Sequence, residues 1–339
     1  MYKQSVFPRW RGFNLQGMFS RYDKDGFNRS NGFCEDDFKM ISDFGFDFVR
    51  IPVSYRIWSA VDNPFEIDER KIAPLDKAIE FGQKYGLHVN LCFHRIPGYC
   101  INHDENEIWD IWKDDEALEA AKFQWKSMAK RYADVNTDKL SFNVLNEAES
   151  WVTQHRYHTI CKQIIKEVRE ISPDRLFIID GVQWGDLPPT RLFMMEMENC
   201  GYSTRGYCPR GLTHYGLSEE FDKIKPVWPG ATQREDWEYF HWSRETLDKF
   251  YSMWAALGEI YKVGIHCGEM GVYNKTPHNV ALAWLEDVLD SLTERNIGYA
   301  LWQFRGPFGI MDSDRTDAEY VNCGGHKLDK KMLDILQKY

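Results

Sequence analysis

Short apolar runs alternate with longer stretches of helical periodicity from one end of the chain to the other. The short runs predict strands at 12–15, 46–52, 87–93, 140–145, 176–180, 201–207, 263–268 and 299–303. Amphipathic stretches at 35–44, 72–85, 117–132, 155–172, 244–261 and 280–295 predict helices between them. Stop signals punctuate the pattern at Gly45, Gly86, Pro173, Gly264 and Gly298. Eight strands alternating with helices point to a closed parallel (β/α)8 barrel, read here as a single domain over 1–339. The sixth strand is the least apolar of the eight. A doubly wound open sheet is the alternative, but its Gly-rich phosphate turn after the first strand is missing.

On such a barrel, functional side chains gather at the C-terminal ends of the strands. Those ends carry Asn14, Arg50, His94, Asn146-Glu147, Asp180, Tyr207, Glu269 and Trp302. Stability alone does not explain a polar or aromatic residue at nearly every end. Glu147 and Glu269 close the fourth and seventh strands, which face each other across the barrel mouth. Each glutamate by itself reads equally well as half of a strand-end salt bridge. Together they can flank a glycosidic bond, one as nucleophile and one as acid, at the separation of about 5–5.5 Å that retaining cleavage needs. Environments that push their pKa values apart would divide those roles.

Composition sharpens this picture in one direction. The chain has 13 Trp, 17 Tyr and 21 Phe, more than a core of this size needs. Several of the tryptophans fall in polar, loop-like stretches: Trp109, Trp112, Trp151, Trp184, Trp228, Trp237 and Trp242. Flat sugar faces pack on aromatic rings, although such residues also cap barrel helices. A net charge of -10 without basic clusters argues against nucleic acid as a partner. The eight cysteines include no CxxC pair and no metal spacing, so neither a metal nor a cofactor is expected. Unpaired cysteines fit a reducing compartment, and 1–10 contain no apolar signal core, which favours the cytoplasm unless a leader has been removed. No apolar run approaches the ~20 residues of a membrane span. A monomer is the favoured state.

The segments at the strand ends resemble glycoside hydrolase family 5, the cellulase-type retaining barrels. They are Arg11-Gly-Phe-Asn-Leu15, Gly45-Phe-Asp-Phe-Val-Arg-Ile-Pro52, His94-Arg-Ile-Pro-Gly98, Leu145-Asn-Glu147, Gly268-Glu-Met-Gly271 and Ala300-Leu-Trp302. The resemblance implies Glu147 as acid/base and Glu269 as nucleophile. It also implies Asn146 on the sugar 2-hydroxyl, Arg50 supporting the nucleophile, His94 lining the cleavage subsite and Trp302 as the platform beneath the sugar. The bland readings are a strand-end tie for Arg50, a satisfied core histidine for His94 and barrel filling for Trp302. At the sixth strand the family shows His-x-Tyr, whereas Ser203-Thr-Arg-Gly-Tyr207 puts Arg205 in the place of the histidine. Arg205 is expected there to hold Glu269 ionised, with Tyr207 touching the same carboxylate, and, as a substrate-binding residue, to read an acidic or branched sugar. His214-Tyr215 is the other candidate pair, but adjacent strand residues point to opposite faces. Ala148 stands where the family commonly has proline after the glutamate.

These readings converge on a retaining O-glycoside hydrolase acting on β-linked glucan polysaccharides or oligosaccharides. Related activities on mannan or β-1,3-glucan, β-glucosidase action and a carbohydrate-binding barrel without turnover are the alternatives. A metal-dependent hydrolase or an aldolase would need a His-x-His at the first strand or a strand-end lysine, and neither is present.

Overall fold

The computed structural model describes residues 7–18, 32–102, 106–189, 197–221, 224–234 and 238–339. Trp237 lies outside them. Eight parallel strands form the centre: β1 (Arg11–Asn14), β2 (Phe48–Ser54), β3 (His88–Ile96), β4 (Leu140–Asn143), β5 (Phe177–Asp180), β6 (Cys200–Gly206), β7 (Ile265–Met270) and β8 (Gly298–Leu301). Each pairs with the next in chain order, and β8 pairs back onto β1, so the sheet closes on itself. The predicted barrel is therefore the observed one, and it leaves no open edge.

The helices α1 (Glu35–Asp43), α2 (Glu69–Lys84), α3 (Asp115–Arg131), α4 (Gln154–Arg169), α5 (Arg244–Tyr261) and α6 (His278–Glu294) fall where the periodicity places them. A seventh, α7 (Lys330–Lys338), follows a short hairpin of Tyr320–Cys323 and His326–Asp329 and was not anticipated. Caps fix several starts: Asp68, Thr153 and Asp329 each accept a backbone N–H from the first turn of α2, α4 and α7. Gly45 and Gly86 turn the chain from helix to strand with φ of 85° and 71°, a conformation that costs glycine nothing.

Between helices and strands lies the larger apolar core. Trp125 of α3 shows its position well. It packs edge-on to Phe93 at 4.8 Å and its indole N–H donates to Val144 O at 2.8 Å, which steadies the chain just before Asn146-Glu147. Inside the barrel, the end nearest the strand starts is filled by Phe7, Trp10, Phe48, Ile178 and Ala300. His88 stacks on Trp10 at 3.7 Å between ring centres, and His266 lies 4.5 Å from Phe48.

The weak sixth strand has a physical explanation. Every residue of β6 is buried, but its inward positions are Gly201, Ser203 and Arg205. A side chain at 201 would strike the Phe7 ring, 2.1 Å away, so that end of the lumen admits only glycine. The other two inward positions serve polar contacts. No apolar alternation remains to be read.

Candidate active site

Two guanidiniums organise the opposite end of the lumen. Arg50 of β2 is 1% exposed; its Nη1 donates to Glu269 Oε1 at 2.6 Å and to Asn14 Oδ1 at 3.1 Å. Its Nη2 donates to Asn146 Oδ1 and to Cys92 Sγ, both at 2.9 Å. Arg205 of β6 is fully buried. Its Nε donates to Glu147 Oε1 at 2.7 Å, its Nη2 to Asn146 Oδ1 at 3.0 Å, and its Nη1 and Nη2 to the two oxygens of Asp180. Nη2 also lies 3.5 Å from Glu269 Oε1, so one guanidinium spans both glutamates.

Glu269 reaches this position because of the backbone. In β7, His266 faces the lumen, and strict alternation would send Gly268 inward and Glu269 out to the helices. The register against β6 and β8 shifts after Cys267. The extra residue brings Glu269 opposite Arg205, as a β-bulge does when it re-aims a side chain. Tyr207 then donates its hydroxyl to Glu269 Oε2 at 3.0 Å. Burial, with the charges of Glu269 and Glu147, pushes the Tyr207 pKa well up, which keeps it a donor.

Glu147 follows β4 with φ of 45°, a left-handed conformation that costs a non-glycine residue roughly 1–2 kcal/mol. Both its backbone groups are held. Its N–H donates to Asp180 Oδ2 at 2.9 Å, and its carbonyl accepts from the Tyr99 hydroxyl at 2.5 Å. Its carboxyl pKa is pushed up to about 7 by burial and by the charge of Glu269, while Arg205 opposes the rise. Asp180 behaves in the other sense. Burial raises it, but Arg205 and Arg50 overcome that and hold it below the usual range.

Charge balance explains the split. Three carboxyls (Glu147, Asp180 and Glu269) share two guanidiniums, and His94 is kept neutral, its pKa pushed well down by burial and by the neighbouring arginines. One proton among the three carboxyls makes the cluster neutral. Asp180 also accepts Asn143 Nδ2 at 2.8 Å, and Glu269 has both a guanidinium and a phenol. Glu147 has one guanidinium nitrogen on its carboxyl and the most exposed side chain of the three, at 16%. It is the natural holder of the proton.

Asn146 is fixed just as tightly. Both arginines donate to its Oδ1, which settles the orientation of the amide and leaves Nδ2, buried and without a partner among the described residues, as a donor. His94 lies parallel to the half-buried Trp302 ring at 5.2 Å.

The site residues read from the sequence, Arg50, His94, Asn146, Glu147, Arg205, Tyr207, Glu269 and Trp302, thus stand at one end of the barrel. One reading changes, and the alternative His214-Tyr215 pair falls away. Arg205 was expected chiefly on Glu269; its close partners are Glu147 and Asp180, because the strand end of β5 puts a carboxylate between them. His214 sits beyond the strand, just after a helical turn at Arg210–Thr213, and packs on Tyr207 at 5.0 Å. Asp180 and Asn14 were visible as strand-end residues but carried no role. Tyr99 gave no signal except its place after Pro97-Gly98. Among the tryptophans, Trp112 is buried, Trp109, Trp228 and Trp242 lean on the core, and Trp151 is 56% exposed. Among the described residues, no group of three or more His, Cys, Asp or Glu could hold a metal ion, and no helix is long and apolar enough to cross a membrane.

Residues 4–306 match the model of the family described as cellulase (glycosyl hydrolase family 5). Cellodextrinase A of Ruminococcus flavefaciens is 27% identical over 278 residues, 81% of this chain and 80% of that protein. Endoglucanase C of Acetivibrio thermocellus is 26% identical over 337 residues, 92% of this chain and 96% of that one. A crystal structure described as a glycoside hydrolase superposes with a TM-score of 0.87 at 32% identity, covering 100% of this chain and 99% of the other. Thermotoga maritima Cel5A, solved with mannotriose, gives 0.76 at 22% identity over 97% of both chains, a likeness of fold.

Proposed function

The chain belongs to glycosyl hydrolase family 5, and from that membership we propose that this glycoside hydrolase cleaves β-1,4-linked glucan or cello-oligosaccharides with retention, Glu147 serving as acid/base and Glu269 as nucleophile. The names of the endoglucanase and cellodextrinase relatives support the glucan. The observation that carries the assignment of roles is the uneven sharing of two guanidiniums among three carboxyls, two of them buried and Glu147 partly exposed.

Glu269, held by Arg50 and Tyr207, attacks the anomeric carbon and forms the glycosyl-enzyme. Glu147 gives its proton to the departing oxygen, then takes one from the water that releases the sugar. Asn146 Nδ2 donates to the hydroxyl beside the anomeric carbon, and Trp302, backed by His94, supports the ring. The eight cysteines, outside any disulfide, support a reducing compartment as its place of work.

Glu269→Ala should lower turnover on the order of ten-thousandfold, and azide should restore part of it by attacking in place of the carboxylate. Glu147→Ala should spare aryl glycosides with good leaving groups far more than cello-oligosaccharides. NMR of fresh product should show the β-anomer. An initial α-anomer, or wild-type rates from both variants on a panel of β-glucans and mannans, would remove the assignment.

A further inference from the structure

Arg205 is committed on every side. Nη1 and Nη2 meet Asp180 end-on, and Nη1 also donates to Ser203 Oγ at 2.9 Å. Asp180 in turn accepts the N–H of Glu147, and Nε of Arg205 donates to the Glu147 carboxyl. A closed circuit therefore runs from the Glu147 backbone through Asp180 and Arg205 to the Glu147 side chain. The turn at Gln183, Trp184 and Gly185 covers it, with Trp184 N–H donating to Ala148 O at 2.9 Å. Gly185 has φ of 83°, and a side chain there would lie 2.9 Å from Arg205 Cγ. The turn thus rests directly on the arginine and keeps water from it.

We propose that Arg205, clamped by Asp180, is a positioning residue that aims the Glu147 carboxyl and decides the pH at which it gives up its proton. This rests on the reading of Glu147 as acid/base. Other groups also bear on Glu147: Tyr207 just after β6, Glu269 from β7, Asp180 from β5, Arg50 from β2 by way of Asn146, and Tyr99 after β3, which Glu149 also influences. Of these, Arg205 alone places a cationic donor on the carboxyl itself. A fixed N–H at that oxygen favours the ionised form, the one that acts as base in the second step, and opposes the protonated form needed in the first. Asp180 moderates that pull because its charge neutralises most of the guanidinium. Removing one member therefore acts opposite to removing the other, which a merely structural pair would not do.

The test is the pH profile of kcat/KM on cellotetraose, whose alkaline limb follows loss of the acid proton. Arg205→Gln should move that limb up by about one unit. Asp180→Asn should move it down, and Arg205→Lys, which keeps the charge, should leave it near its wild-type position. Limbs that move in the same direction, or that stay fixed while kcat falls, overturn the proposal. Should Arg205→Gln fail to melt as a folded protein, the downward shift in Asp180→Asn against the unmoved Arg205→Lys still decides the matter. The residual cellotetraose turnover of Glu147→Gln should show no alkaline limb. A limb persisting there sinks the acid/base reading itself, whereas a limb that belongs to Glu147 but ignores Arg205 sinks only the clamp.

Discussion

The two ends of the barrel lumen are built on the same strands, two or three residues apart, and they solve opposite problems. Phe48 and Arg50 are neighbouring inward positions of β2; His266 and Glu269 are their counterparts on β7. At the lower end the residues are aromatic, and even the histidines are held uncharged. Burial lowers both His88 and His266 to about 3, so they pack as rings. At the upper end, two guanidiniums and three carboxyls are kept nearly dry, with one proton among the carboxyls balancing the charge. The lower layer contributes stability and the upper layer consumes it, a division expected where one barrel face carries chemistry.

Arg50→Ala should give the largest effect on this contrast. It leaves Glu269 against Tyr207 and the outer edge of Arg205 alone. Activity should fall on the order of a hundredfold or more. Denaturant titration should show a loss of about 3 kcal/mol, because a buried carboxylate loses its main partner. An active, fully stable variant would erase the distinction between the layers.

Phe48→Ala probes the other end. It should cost about 3–5 kcal/mol in unfolding free energy, yet kcat/KM of the folded enzyme should stay within about threefold of wild type, since the change touches no group at the mouth. A large loss of kcat/KM with little change in stability would invert the comparison.

The smallest effect concerns pH. The unfolded chain binds protons at His88 and His266 near pH ~6.5, whereas the folded chain does not until about 3. Their contribution is therefore complete above the unfolded value and is lost progressively as pH falls toward the folded one. His94 adds in the same direction. His266→Phe should flatten the decline of melting temperature on acidification, and an unchanged slope would place the sensitive protons elsewhere.

The contrast also shows what could be read from the sequence. Period and stop signals suffice for the barrel, because strands buried on both faces and amphipathic helices leave strong patterns, and the glutamates stand out as charges closing apolar runs. The Arg205 partnership was hidden because it depends on Asp180, a residue 25 positions earlier that reads as one more strand-end carboxylate. β6 was faint for the opposite reason: Gly201 is set by a ring approaching across the lumen, not by its own segment. The α7 helix and its hairpin lie beyond the eight-fold repeat, where barrel logic makes no forecast.

The register shift in β7 has a consequence for how this enzyme can be altered. The aim of Glu269 is set by how many residues the strand contains, not by which side chains surround it. Gly268 supplies the spare length, and any larger residue there would meet Ser203 Oγ at 2.4 Å. Residue-by-residue exchange can map every contact in the cluster and still overlook this feature. Removing a single position would swing the carboxylate toward the helical shell and leave each partner intact with nothing to hold.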